Sequence, residues 1–333
     1  MSPRLDRRAA VAIGLMALLA ILPLVATWLD QGFYVGQLRR VLIFAIAAVS
    51  LDIILGYGGM VSLGHAAFVG AGAYVVALLH WHADRGIEVL GILPGTMQSL
   101  ATIPAAMLVA ALLALAIGAI SLRTSGLYFI MITLAFAQLV YYVGSGLEAY
   151  GGDDGLNISR SRFPGLIDLR DKASFYWLCF ALLCASLWFC GRYANSHFGL
   201  VLRGAKSNEL RMTALGFPVF RYRLAAFTIS GALGGLSGIL LANEGAYISP
   251  AMMSWMKSGD LIVIVVLGGM GTLFGPLYGT IAFFVLEEAL PPILNLAHKG
   301  WGEYWMIVFG PLLVLIALYA RGGIDSLLGR RHD

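Results

Sequence analysis

Long apolar runs constrain the fold of this chain more than any other feature of its sequence. Ten such runs, each about 14 to 24 residues long, occupy residues 9–29, 41–55, 60–80, 99–122, 127–143, 175–190, 224–243, 261–274, 275–290 and 304–320. An α-helix of about 20 residues crosses the hydrocarbon of a bilayer, which is roughly 30 Å thick. The runs therefore predict an all-α, polytopic transmembrane helical bundle with about ten crossings, in a single domain over residues 1–333.

The composition agrees with a membrane environment. Hydrophobic residues make up 59% of the chain, charged residues make up 12%, and the mean hydropathy is +0.84. Soluble domains carry about 25% charged residues, so this chain has too few charges to cover a water-exposed surface. A membrane β-barrel would instead show apolar and polar residues alternating over segments of about ten residues, and the sequence has no such alternation.

The distribution of Lys and Arg predicts the orientation of the bundle. With the N-terminus in the cytoplasm, most basic residues fall on the cytoplasmic side, as the positive-inside rule expects. This orientation puts both termini and a loop at residues 193–223 inside, and a loop at residues 144–174 outside. Arg39 and Arg40 oppose it mildly. The net charge of +4 does not indicate nucleic acid binding, because the basic residues are scattered between apolar runs and form no aromatic-interleaved patch.

Two short apolar runs each lead into a glycine-rich break. Residues 41–55 precede GGMVSLG at 58–64, and residues 261–274 contain the start of GGMGTLFG at 268–275. Short, glycine-interrupted segments are typical of broken or re-entrant helices near a transport pathway, because glycine frees the backbone. Close packing of helices through small residues is the alternative. Four glycines are therefore candidates for the pathway: Gly58, Gly59, Gly268 and Gly269.

The cytoplasmic segment from His197 to Ala242 predicts a short helix followed by a membrane helix. Ser207 or Asn208 can cap an N-terminus, and an acidic residue follows at Glu209, where the helix dipole favours an anion. Gly216 and Pro218 are a C-terminal stop signal. A helix of about two turns is expected at Asn208–Leu215. Such a helix is marginal alone, so it is either a solvated connector or a surface that docks onto a partner such as an ATPase.

This segment resembles the coupling loop of bacterial ABC-importer permeases, with Glu209, Ala214 and Gly216 at the matching positions. The chain also resembles, over about residues 41–321, the LivM-like permeases of the branched-chain amino acid uptake family. Four blocks carry this likeness: LDIILGYGGMVSLGHAAFVGAGAY (51–74), GLYFIMITLAFAQ (126–138), GGDDGL (151–156), and the coupling segment joined to VVLGGMGTLFGP (265–276). The third block departs from the family pattern at Asp153, where a small polar residue is expected.

The resemblance implies a permease subunit in the bacterial cytoplasmic (inner) membrane. Members of this family work with a second, homologous permease, two cytoplasmic ATP-binding subunits and a periplasmic or lipid-anchored substrate-binding protein. The sequence has no GxxxxGK[ST] phosphate loop, which fits ATP being handled by another subunit. The residues expected to couple to the ATPase are Arg203, Glu209, Arg211, Ala214 and Gly216.

Polar residues inside apolar runs are further pathway candidates, since polar groups in a membrane are often functional. Asp52 lies near the end of its run and either lines the pathway or braces the glycine break. Ser62, Thr133 and Gln138 either contact a passing zwitterion or hydrogen-bond neighbouring helices. His65 could carry a proton. An ATP-driven importer needs no proton carrier, so a hydrogen-bonded structural histidine is the preferred interpretation.

The external loop carries two adjacent acids, Asp153 and Asp154, among glycines. A calcium loop would need further spaced ligands and a closing Glu, which are missing here. Contact with the binding protein is the preferred role, and a solvated turn is the alternative. The three cysteines at 179, 184 and 190 have no metal or redox spacing, so no metal and no cofactor are expected.

Two other classes of protein were weighed. An ion-coupled secondary transporter of small polar solutes would need ion-binding carboxylates deep in the membrane, and only Asp52 qualifies in part. A membrane enzyme would need catalytic residues, and neither HExxH nor GxSxG occurs, so no enzymatic activity is expected. The sequence does not choose among leucine-type amino acids, other amino acids, urea and short amides as substrate.

Overall fold

The computed structural model describes residues 7–28, 32–89, 93–161, 171–298, 300–319 and 322–328. Within these residues the chain is almost entirely helical. The ten long helices are α1 Arg7–Trp28, α2 Gly32–Asp52, α3 His65–Arg85, α4 Ser99–Ser121, α5 Leu127–Ser145, α6 Lys172–Ala194, α9 Val219–Gly245, α10 Trp255–Gly268, α11 Gly275–Ala297 and α12 Trp305–Tyr319. Three short helices complete the set: α7 His197–Ser207, α8 Glu209–Ala214 and α13 Gly323–Leu328. Each long helix corresponds to one of the ten predicted runs.

The strands of the described chain form two small antiparallel pairs. β1 Glu88–Val89 pairs with β2 Leu93–Pro94, and β3 Leu156–Asn157 pairs with β4 Tyr247–Ile248. The second pair joins the loop after α5 to the segment after α9. The prediction of an all-α membrane bundle is thus confirmed.

Six of the described helices are long and apolar enough to cross a membrane, namely α3, α4, α5, α6, α9 and α11. The other long helices are shorter in their apolar part or carry more charge; α2, for example, contains Arg39, Arg40 and Asp52. Length and composition therefore do not confirm the predicted number of about ten crossings.

α9 lies at the centre of the bundle and packs against α2, α3 and α4. Small residues allow this close packing. A methyl group on Gly235 would lie 2.6 Å from the Cβ atom of Ala110 on α4, and one on Gly238 would overlap the carbonyl of Val69 on α3. Helix contacts through small residues are how helices associate in lipid, where the hydrophobic effect does not drive them together.

Polar side chains begin several helices as local sequence rules expect. Asp171 accepts hydrogen bonds from the amides of Ala173 and Ser174 and from the Ser174 hydroxyl at the start of α6. These bonds stabilise the carboxylate and lower the pKa of Asp171 below its usual value. Ser196 caps α7 in the same way, because its hydroxyl accepts from the amide of Gly199 at 3.3 Å.

Several predicted boundaries are wrong; the run 60–80, for example, begins too early, because α3 starts at His65. The run 41–55 is the second half of a longer helix, because α2 already begins at Gly32 and includes Arg39. Arg39 forms an ion pair with Glu244 of α9, with its Nε 3.0 Å from Oε2, and this pairing lets a cation lie inside the helix bundle. The predicted run 261–274 is also misplaced: α10 begins earlier, at Trp255, and ends at Gly268, where Gly269 takes a φ of 122°.

Candidate functional site

The turn that leads into the first glycine break lies in contact with the second glycine break. α2 ends in a single π-helical turn at Ile53–Tyr57, and all five residues of this turn are buried. Asp52 Oδ1 accepts a hydrogen bond of 2.9 Å from the amide of Gly271 in the second break. A methyl group on Gly56 would overlap both this carboxylate oxygen and the Gly271 amide. The ends of α2 and α10 are therefore joined at one point.

Asp52 is only 1% exposed, so its carboxylate does not face an open pathway in this conformation. Its second oxygen has no hydrogen-bond partner among the described residues. Of the two interpretations weighed for Asp52, the geometry favours bracing of the break.

Lys206, on α7, connects this point to the segment that contains α7 and α8. Its Nζ donates a hydrogen bond of 2.6 Å to the carbonyl of Gly56, which lies in the π-helical turn. Its side-chain stem lies against Gly59, where a methyl group would approach Cγ of Lys206 to 2.8 Å. Lys206 is not among the residues that the sequence singled out. The local sequence does not indicate this contact, because Lys206 and Gly56 are 150 positions apart.

Ser62 and Thr133 lie together at the segment between the π-helical turn and α3. Thr133 Oγ1 accepts a hydrogen bond of 3.3 Å from the amide of Leu63, and Ser62 Oγ accepts one of 3.2 Å from the amide of Gly64. Both side chains are buried and satisfy backbone groups of an irregular segment, as polar residues between membrane helices often do. Gln138 lies further along α5 and is half-buried.

His65 is fully buried at the start of α3 and is hydrogen-bonded to a hydroxyl. Ser50 Oγ donates to the carbonyl of Ala47 at 2.6 Å, so its contact of 2.7 Å with His65 Nε2 is one in which the histidine donates. His65 Nδ1 has no hydrogen-bond partner among the described residues. This arrangement fits the structural histidine that the sequence analysis preferred.

The glycines of the second break allow close packing of three chain segments. A methyl group on Gly268 would overlap the carbonyl of Gly275 at the start of α11. One on Gly269 would lie 2.6 Å from the carbonyl of Gly322, just before α13. At Gly268 and Gly269 the packing interpretation therefore has direct geometric support.

Two helices begin inside the bundle and not at its ends. Gly234, near the middle of α9, lies beside His65: a methyl group there would be 3.4 Å from His65 Nε2. The amide of Ala66 in turn donates a 2.9 Å hydrogen bond to Ser258 Oγ on α10. The first turns of α3 and α10 are thus level with the middle of α9. Irregular chain precedes α3 at residues 58–64, and a 3-10 turn at Pro250–Met253 precedes α10.

The predicted cytoplasmic helix is present as α8. Asn208 caps it by accepting a 2.9 Å hydrogen bond from the amide of Arg211, and Gly216 after its end has a φ of +87°. Glu209 Oε2 forms an ion pair of 2.7 Å with Arg223 Nη1, which ties α8 to the start of α9. None of the residues of α8 is buried.

The remaining coupling candidates differ in their surroundings. Arg211, Ala214 and Gly216 are exposed together with Glu209 on the α8 segment. Arg203 lies on α7 and donates a 2.9 Å hydrogen bond to the carbonyl of Ala194, so it holds α7 against the end of α6. Two leucines that the sequence analysis did not single out are strongly exposed here: Leu210 at 84% and Leu215 at 66%.

Asp153 and Asp154 are exposed in a 3-10 turn at Gly152–Asp154, which follows the C-terminal end of α5. Tyr247 donates a 2.7 Å hydrogen bond to the carbonyl of Asp154, which fixes the turn against the segment after α9. The part of the chain that the structure describes contains no group of three His, Cys, Asp or Glu side chains able to hold a metal ion. Residues 162–170 of the predicted external loop lie outside the described residues.

Comparison with known proteins gives a consistent result. Residues 33–317 match the family model described as branched-chain amino acid transport system / permease component. The high-affinity branched-chain amino acid transport system permease protein LivM of Escherichia coli is 28% identical over 334 residues, covering 92% of this chain and 74% of the relative. A probable branched-chain amino acid transport permease protein LivM of Methanocaldococcus jannaschii is 23% identical over 85% of this chain and 90% of the relative.

A relative that matches a shorter part of the chain is the autoinducer 2 import system permease protein LsrC of Klebsiella pneumoniae. It is 29% identical over 47% of this chain and 44% of its own length. No solved structure matches this chain.

Proposed function

Since this chain belongs to the branched-chain amino acid transport system permease family, we propose that it carries branched-chain or related amino acids across the bacterial cytoplasmic membrane. It does so as the permease subunit of an ATP-driven importer. The observation that carries this proposal is α8, a short helix with no buried residue, with Leu210 exposed on it and Leu215 exposed directly after it. An exposed apolar surface of this kind marks a protein interaction site.

The partner proposed for α8 is a cytoplasmic ATP-binding subunit. Leu210 and Leu215 supply apolar contact area, and Glu209, Arg211, Ala214 and Gly216 surround them. Arg203 acts indirectly by holding α7 in place. Movement of α7 and α8 would be transmitted through Lys206 to the Gly56 carbonyl, and from there through Asp52 to the second break.

The complete importer contains a second, homologous permease, two ATP-binding subunits and a periplasmic or lipid-anchored binding protein. Asp153 and Asp154 are the residues proposed to contact the binding protein, since they are exposed at the end of the bundle away from α8. Among the pathway candidates, Asp52, Gly58, Gly59, Gly268 and Gly269 are proposed to position the helix ends. Ser62, His65 and Thr133 lie on or near the irregular segment before α3, and Gln138 lies further along α5. All four are proposed to shape the pathway.

The topology proposed is ten crossings with both termini in the cytoplasm. Contacts at the two ends of the bundle support it. The loop after α5 meets the ends of α3 and α9, through His82 Nε2 at 3.1 Å from the Tyr150 hydroxyl and through the Ile158 amide bonded to Ala246. The end of α2 instead meets α7 through Lys206. The ends of α3 and α9 therefore lie away from the cytoplasmic segment.

An ion-coupled secondary transporter is the weaker alternative. The named relatives are permease components of transport systems and import systems, and none is described as ion-coupled. Asp52, the one carboxylate considered for ion coupling, is engaged with the Gly271 amide.

We expect the side chain at position 210 to face the cytoplasm and to be covered by the ATP-binding subunit. A Leu210→Cys variant, made in a chain whose three cysteines are replaced by alanine, should react with a membrane-impermeant thiol reagent in inside-out vesicles. Intact cells should show no labelling. Adding the ATP-binding subunits to the vesicles should reduce the labelling at least about tenfold, because the 84% exposed side chain becomes part of an interface.

A Glu148→Cys variant in the external loop is the matched control. It should be labelled in intact cells and should be unaffected by the ATP-binding subunits. Labelling of position 210 in intact cells would refute the topology, and unchanged labelling in the presence of the ATP-binding subunits would refute docking at α8.

A further inference from the structure

A cavity of about 240 Å³ opens between α2, α3, α9, α10 and the segment that precedes α10. Its walls are mostly aliphatic and aromatic, and include Ile43, Phe44, Val69, Leu241, Met252 and Leu261. None of the pathway candidates from the sequence lines it. Pockets for drug-sized ligands have volumes of about 300 to 1,000 Å³, so this cavity is in scale for a smaller solute with an apolar side chain.

The cavity lies at the level of the membrane-spanning part of α9. Ser237 and Leu241 line it, and both fall within the apolar run 224–243. Lys257 lines it from the first turn of α10, which is fixed inside the bundle by the hydrogen bond between the Ala66 amide and Ser258. A lysine therefore borders an apolar cavity within the span.

Charged side chains are exposed beside this cavity. Lys257 Nζ lies 3.2 Å from Asp260 Oδ2, with side-chain exposures of 53% and 40%. Arg40, a second lining residue, is exposed and has its guanidinium 5.7 Å from the ring centre of Phe284. Charged groups at the depth of the membrane-spanning helices are unfavourable in contact with lipid hydrocarbon. They normally face a water-filled path or another protein chain. This face of the bundle is thus open to water or to a partner.

We propose that this cavity is the permease's own binding site for the transported amino acid, an inference that rests on the proposed function. The apolar walls receive a branched aliphatic side chain. Lys257 and Arg40, which line the cavity, bind the α-carboxylate. Asp260, which lies beside Lys257 and is not itself a lining residue, provides a carboxylate for the α-ammonium group. The N-terminal end of α10 adds a partial positive charge on the side where the carboxylate binds.

A single cation in the site would leave the ammonium group of the amino acid without a partner. An amino-acid zwitterion carries its ammonium and carboxylate groups on the same Cα atom, and Lys257 and Asp260 offer opposite charges 3.2 Å apart. A ligand that pairs with both leaves neither charge without a partner inside the membrane.

The first test removes the cations while keeping their bulk. In the reconstituted importer with its binding protein, Lys257→Met and Arg40→Met should each lower the uptake of radiolabelled leucine about tenfold or more, since each loses a charge-assisted hydrogen bond. ATP hydrolysis stimulated by the loaded binding protein should stay within about twofold of the unmodified importer, because α8 is not altered. Lys172→Met, which removes an exposed lysine at the start of α6, is the matched control and should leave uptake unchanged.

Unchanged uptake in Lys257→Met and Arg40→Met would overturn the proposal. So would a parallel loss of uptake and ATP hydrolysis, which would show a defect in assembly or coupling and not in substrate binding.

The second test measures binding of the amino acid without transport. Its result therefore does not depend on whether the proposed function is correct. A Lys257→Cys variant, in a chain whose three native cysteines are replaced by alanine, is treated with a negatively charged thiol reagent in membranes. Leucine at millimolar concentration should slow the reaction severalfold, and glutamate should not, because its charged side chain does not fit apolar walls. Glu148→Cys should react at the same rate with and without leucine.

Equal rates at position 257 with and without leucine would overturn the binding site even in an importer that transports leucine. Protection by leucine in a complex that shows no ATP-driven uptake would support the site and refute the proposed function.

Discussion

Adding one methyl group at Gly56 is expected to abolish function by separating the two glycine breaks. In Gly56→Ala, the new Cβ atom would overlap Asp52 Oδ1 and the amide of Gly271. The hydrogen bond of 2.9 Å between these two groups would break, leaving a buried amide and a buried carboxylate without partners. Overpacking and the lost hydrogen bond together should cost about 2 to 5 kcal/mol.

The measurement is the fraction of the detergent-solubilised chain that stays monodisperse after heating, together with leucine uptake by the importer. Gly14→Ala is the matched control, since a methyl group at Gly14 of α1 would have no neighbour within 4 Å. It should leave both quantities unchanged. A Gly56→Ala chain as stable and as active as the Gly14→Ala chain would show that contact between the breaks is not required.

The second large effect is expected at α8, where Glu209→Lys and Gly216→Val should stop coupling while the chain stays in the membrane. Glu209→Lys replaces an ion pair of 2.7 Å with two facing cations, and puts a cation at the positive end of a helix. Glu209 is half-exposed, so the loss of this pair alone should cost only about 0.2 to 1 kcal/mol. The larger effect is expected on the ATPase contact.

Gly216→Val acts through the backbone. Gly216 has a φ of +87°, and a methyl group there would have no neighbour within 4 Å, so a clash plays no part. A β-branched residue in this conformation is strained by about 1 to 3 kcal/mol, which would change the direction of the chain between α8 and α9. Substrate-stimulated ATP hydrolysis and co-purification of the ATP-binding subunits measure the outcome.

Two controls make this prediction specific. Gly14→Val adds the same side chain at an open helical position and should preserve coupling. The double variant Glu209→Lys with Arg223→Glu restores an intramolecular ion pair with reversed charges. If the ATP-binding subunit recognises the negative charge of Glu209 on α8, coupling stays low in the double variant. Normal ATP hydrolysis and co-purification in both Glu209→Lys and Gly216→Val would mean that α8 is only a connector.

The sequence predicted features that depend on neighbouring residues. α8 follows from Asn208 as a cap and Gly216 as a stop, and both have the expected geometry. A glycine break at 58–64 was also expected, although the membrane run 60–80 was predicted to begin inside it. Such signals are local because capping and turn formation involve only a few residues along the chain.

The sequence alone did not predict contacts between residues that are far apart along the chain. Asp52 and Gly271 are 219 positions apart, and Arg39 and Glu244 are 205 apart. The sequence does not show that Arg39 pairs with Glu244, so Arg39 was taken to lie outside the membrane run. The start of α2 was therefore predicted too late. The early start of α10 was missed for the same reason, because only the contact between Ser258 and Ala66 shows that it lies inside the bundle.

The central claim is that uptake through this chain is driven by ATP on separate subunits. The most direct measurement is the uptake of radiolabelled leucine into proteoliposomes that hold ATP inside and the binding protein outside. Rapid uptake is expected only when this chain, its partner permease and the ATP-binding subunits are all present, with no uptake when ATP is replaced by an ion gradient. Leucine uptake by this chain alone, driven by an ion gradient without ATP, would contradict the account.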